Sequence, residues 1–82
     1  MPTVLRVDGF QVHIFLPPRE HGPAHVHVRK AGAGVVISLP DGGQLLGIRE
    51  IQAMRDADVV AAFHIVATNV DALLEHWRRY HG

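Results

Sequence analysis

Cysteine is missing from this chain of 82 residues, so no disulfide framework can hold the fold together. Long apolar runs are missing too. No stretch approaches the roughly 20 residues needed to span a bilayer, which excludes membrane insertion by a helix. The chain opens without the sequence of charged, apolar and cleavage regions that marks a secretory signal, and the cytoplasm is its expected location. Net charge is absent, because eight Lys and Arg balance eight Asp and Glu at neutral pH. A broad phosphate-attracting field is thereby excluded, although a local basic patch is not. Neither GxGxxG nor GxxxxGK[ST] accompanies the glycines, so there is no phosphate loop. Repeats, low-complexity tracts and interdomain linkers are also lacking.

Apolar side chains make up 48% of the chain, enough for one small core. A chain this short buries only a little over half of its unfolded surface, so the expectation is a single domain over residues 1–82 with marginal stability. The compositional anomaly is histidine, with seven in 82 residues. Near an unperturbed pKa of about 6.5, that many imidazoles make the charge rise steeply on mild acidification.

Residues 1–48 read as strand-rich, because apolar and polar side chains alternate and turn residues punctuate the runs. The expected strands are 4–7, 10–16, 25–30, 35–39 and 45–48, with loops or turns at 17–24, 31–34 and 41–43. Phe10, Val12, Ile14 and Leu16 share one face, and Gln11, His13 and Phe15 the other. In the next strand Val26 and Val28 oppose His25, His27 and Arg29. Residues 49–55 read equally as a helical turn or a loop. From there the period changes: Val59, Phe63, Val66, Val70, Leu73, Trp77 and Tyr80 follow one another by fours and threes. That spacing predicts one helix over 57–80, with Asp56 as N-cap, the stripe running unbroken past Asn69, and His64 and His76 at the surface. The expected fold class is α+β: a small, mostly antiparallel sheet packed on one face by one long C-terminal helix. Its stripe meets Val12, Ile14, Val26, Val28, Val35 and Ile37 and leaves the histidines on the opposite face.

Candidate chemistry concentrates in Glu20-His21-Gly22-Pro23-Ala24-His25-Val26-His27-Val28. Residues two apart on a strand point the same way, so His25 and His27 set two imidazoles on one face, about 7 Å apart at Cα. His21 precedes them in a loop that Gly22 and Pro23 can fold back, and His13 joins the group if the neighbouring strands pair. Three readings follow. The histidines are the solvated face of a strand. Alternatively His21, His25 and His27, with Glu20 as fourth ligand or as a carboxylate fixing a tautomer, hold a divalent metal such as zinc. In the third, His21, His25, His27 and Arg29 do metal-free acid–base work, one imidazole taking a proton while Arg29 or another stabilises charge on a phosphate.

Met1-Pro2-Thr3-Val4 with Gly9-Phe10, the Glu20 to Val28 motif, Arg49, Met54, and Leu74-Glu75-His76-Trp77 with the ending His81-Gly82 resemble a family of small prokaryotic proteins. It is catalogued only as a domain of unknown function, number four-one-six-zero. The resemblance covers nearly the whole chain, and where the family often has two successive prolines this sequence has Pro23-Ala24. Members are often encoded beside another small domain, an arrangement similar to toxin–antitoxin modules. The resemblance therefore implies a small protein partner, and the module likeness brings RNA into view as a target. A homo-oligomer and a plain interaction module remain alternatives.

Overall fold

The computed structural model describes residues 3–15 and 22–81. Five strands are followed by two helices: β1 (Thr3–Val7), β2 (Phe10–His13), β3 (His25–Lys30), β4 (Ala33–Ser38), β5 (Gly47–Gln52), α1 (Asp56–Thr68) and α2 (Val70–His81). The strands form one sheet in the order β1-β2-β3-β4-β5, with every neighbouring pair antiparallel. The α+β class and the antiparallel sheet are as expected. The first connection is a tight hairpin in which Asp8 (φ 49°) and Gly9 (φ 83°) take left-handed conformations, and Ala31 (φ 48°) and Gly32 (φ 82°) repeat it between β3 and β4. Two such residues make a turn whose twist matches that of the strands it joins. Because this turn uses only Ala31 and Gly32, β4 starts at Ala33 rather than at 35.

Alternation decides the faces as expected. Phe10, Val12, Ile14, Val26, Val28, Val35 and Ile37 are buried in a common core with Val59, Ala62, Ile65 and Val66 of α1 and Leu73, Leu74 and Trp77 of α2. Several elements differ from expectation. β2 ends at His13, and residues 16–21, the expected end of that strand and most of the loop, lie outside the described residues. The last strand runs Gly47–Gln52 in place of 45–48, so the ambiguous stretch begins as strand. A bulge hides it: Ile48 pairs with Ile37 and Ile51 with Val35, so two isoleucines three apart share one face and period-two alternation fails.

The single helix over 57–80 is corrected to two, bent by 77° at Asn69. The cause is local. Thr68 Oγ1 donates to the carbonyls of His64 (3.0 Å) and Ile65 (3.1 Å), and Asn69 Nδ2 donates to that of Ile65 at 2.8 Å. These side chains satisfy the carbonyls that end α1, and the Asn69 carbonyl then accepts the Leu73 N–H at 3.0 Å to begin α2. The residue capping α1 at its start is Arg55, without a side-chain bond, and Asp56 falls in the first turn. Neither helix is long and apolar enough to cross a membrane.

Candidate functional site

Pairing of β2 with β3 sets His13 directly opposite His27, and Gln11 opposite Arg29. The sheet face opposite the core therefore presents His13, His25, His27 and Arg29 together. This face is less open than a solvated strand face: His13 and His25 are each only 5% exposed, His27 is half-buried and Arg29 is exposed. Aromatic rings do the covering. The His27 ring meets Phe15 edge-on at 4.4 Å and His25 at 5.3 Å, while His25 lies 5.2 Å from Trp77. The bend at Asn69 carries α2 to this end of the sheet. Trp77 stacks there on His81 at 3.8 Å, and His81 Nε2 donates to the Phe15 carbonyl at 2.8 Å.

Hydrogen bonds assign part of the chemistry. His25 Nδ1 lies 2.8 Å from the Pro23 carbonyl, which only accepts, so Nδ1 carries the proton and Nε2 is the basic nitrogen of the neutral ring. His13 Nδ1 is bonded to Thr3 Oγ1 at 3.0 Å. Burial first, then the positive charge of Arg29, His27 and Arg6, pushes the His13 pKa below 6.5. His13 is thus held neutral next to His27.

Of the residues expected at the site, the structure brings together His25, His27 and Arg29, and His13 joins them because β2 and β3 pair, the condition on which it was expected. His21 and Glu20 lie outside the described residues, and among the described residues no three His, Asp or Glu side chains converge as a metal site. His81 was not legible as part of this region, since a straight helix carries it elsewhere; the Thr68-Asn69 pair, two residues that compete for backbone carbonyls, is the signal that points to the bend. His64 is exposed as expected, whereas His76 is half-buried, stacks on Tyr80 at 6.3 Å and has a buried Nδ1 without a hydrogen-bond partner.

Near the hairpin ends, Gly9, Gln11, Arg29, Lys30, Ala31 and Gly32 line an open groove of about 280 Å³. Lys30 is turned away from the histidine face. Its ammonium lies 4.7 Å over the Phe10 ring and 3.4 Å from Asp58, so of these two neighbours it is Arg29 that lies on the face of His27. The sequence model of the family described as Domain of unknown function (DUF4160) matches residues 9–78. The chain belongs to this family. Comparison with curated proteins and with solved structures found no match. The DUF4160 span contains His13, His25, His27, Arg29 and Trp77, and stops before His81.

Proposed function

We propose that this protein is one component of a small two-protein, toxin–antitoxin-like module of the cytoplasm, and that it acts on RNA by metal-free acid–base chemistry. The observation that carries the reading is the cross-strand pair of His13 and His27 with Arg29 two residues further along the same face. Neutral His13 puts no second positive charge beside His27. In this reading His27 takes the proton of a ribose 2′-hydroxyl as that oxygen bonds to the adjacent phosphorus. The bond from phosphorus to O5′ breaks, the leaving oxygen takes a proton from water, and Arg29 stabilises the added charge on the phosphoryl oxygens. The partner half of the proposal is supported by the edge strand β5, where Ile48 and Ile51 are 47% and 50% exposed beside a backbone edge that is unpaired among the described residues, with Leu45 83% exposed just before it. A small protein encoded beside it is the expected occupant.

The test is incubation of end-labelled RNA with the native chain in the presence of EDTA. Cleavage leaving cyclic phosphate ends is expected, lost in His27→Ala and Arg29→Gln, and growth should slow when the chain is expressed without its partner. Intact RNA, or undiminished cleavage by His27→Ala, overturns the reading. One observation favours a second reading: His25, with Nδ1–H held by a backbone carbonyl, has the tautomer of a metal-ligating imidazole. His25 and His27, joined by His21 and Glu20, would then hold a divalent ion such as zinc. Stoichiometric metal in protein purified without a histidine tag supports this alternative, and metal-free protein that still cleaves RNA removes it.

A further inference from the structure

Five strands contribute one row to the histidine face: Arg6, Gln11, Arg29, Gly34 and Gln52, each the register partner of the next. Four members of the row have long planar polar side chains. The fifth, Gly34, has none, and its backbone does not call for glycine, since its φ is not positive. What the missing side chain leaves is space. A dimple of about 20 Å³ lies over Gly34, bordered by His27, Arg29, Val36 and Gln52. That is room for a single water-sized group.

The polar rim of the dimple is specific. Gln52 Nε2 donates to the Glu50 carboxylate at 2.9 Å, which only accepts, so Oε1 is the opposite end of the amide and has no hydrogen-bond partner among the described residues. A Cβ built on Gly34 would sit 3.8 Å from that Oε1, 4.0 Å from Arg29 Cγ and 3.6 Å from the Val28 carbonyl. The dimple therefore has an acceptor on one side and the methylene stem of Arg29, whose guanidinium only donates, on the other. A hydroxyl can donate to Gln52 Oε1 and still accept from that guanidinium; a methylene can do neither. The 2′-hydroxyl is the group that separates RNA from DNA at a protein surface.

We propose that the dimple over Gly34 seats a ribose 2′-hydroxyl of single-stranded RNA, which donates to Gln52 Oε1 and accepts from Arg29, with the adjoining phosphate on the Arg29 side. This deepens the RNA reading above and rests on it. It makes Gly34 and Gln52 determinants of specificity, in a row that lies beside the one holding His13 and His27.

The experiment is stopped-flow anisotropy on the native chain with labelled oligouridylate and oligodeoxyuridylate of equal length, so that binding is read before cleavage and only the 2′-hydroxyl differs. Oligouridylate should bind about tenfold more tightly, the size of one matched hydrogen bond. Gly34→Ala meets only ordinary van der Waals contacts. It should keep the melting temperature, bind both oligomers with the native affinity for the deoxy form, and erase the preference. Arg29→Gln should weaken both and flatten the dependence on salt. Equal native affinities, or a preference that survives Gly34→Ala, overturn the inference. Equal affinities with RNA still cleaved remove this seat and keep the catalytic reading. A preference for oligouridylate without cleavage keeps the seat and removes the catalysis. Binding of neither oligomer removes both.

Discussion

The two faces of β3 are both covered at the His25 end, yet for different reasons. On one, Val26 and Val28 are wholly buried in a core whose members, Phe10 and Trp77 apart, are mostly aliphatic. On the other, His25 is covered almost as well, but by rings: Trp77 to one side and His27, itself against Phe15, to the other. At His25, burial fraction alone does not separate the core from the site. The covering groups do. Aliphatic contacts contribute stability in proportion to area, whereas stacked and edge-on rings hold polar imidazoles in orientation while leaving ring nitrogens for hydrogen bonds.

The sharpest way to break this contrast is at Trp77, which is packed into the core and also lies against His25. Trp77→Ala should cost about 3–5 kcal/mol, a large share of the stability of a domain this size. Thermal unfolding measures it, and a melting temperature near that of the native chain would show that α2 contributes little to the fold. Next in size is a matched pair of truncations, one from each face. Ile37→Ala removes a side chain with no exposure and should cost about 2–5 kcal/mol. His27→Ala should cost less, about 1 kcal/mol, because its ring is only half-buried. Equal losses in urea unfolding would make the histidine face a second core.

Acid should act on the histidine face first. Because the folded His13 has a pKa below 6.5, the unfolded chain takes up this proton at higher pH than the folded one. Its contribution to stability is therefore complete above 6.5 and is lost as the pH falls from there through the lowered folded value. The urea midpoint should drop as the pH falls below about 6.5, and less steeply in His13→Gln. An unchanged slope in that variant would remove His13 as the acid-sensitive group. The smallest effect belongs to a place that neither face covers. Ala31 sits at φ 48°, where a Cβ is strained, so Ala31→Gly should raise stability by up to about 1 kcal/mol. A lower melting temperature would mean that the entropy of the unfolded glycine outweighs the strain relieved.

Much of the sheet was legible. Strand alternation separates Val26 and Val28 from His25 and His27 without any coordinates, because the side-chain period is two whatever the partner strand. The class of fold follows from the change of period near residue 56. β5 was harder to read, since a bulge is a property of two strands and leaves no mark on the alternation of either one until they are paired. Part of the histidine cluster, at His25 and His27, is a matter of local spacing. The rest is not: His13 joins through the β2–β3 register, and His81 through the bend at Asn69.

The amino-acid sequence alone thus determined which residues share a strand face, that a helical segment follows the sheet, and which side of β3 bears imidazoles. These are short-range consequences of backbone geometry. Tertiary structure decided which histidine faces which, that the site is walled by aromatic rings, and that Gly34 is a gap between Arg29 and Gln52. Each of these depends on register or on the direction a chain takes after a break, and both are set by contacts between residues far apart in sequence.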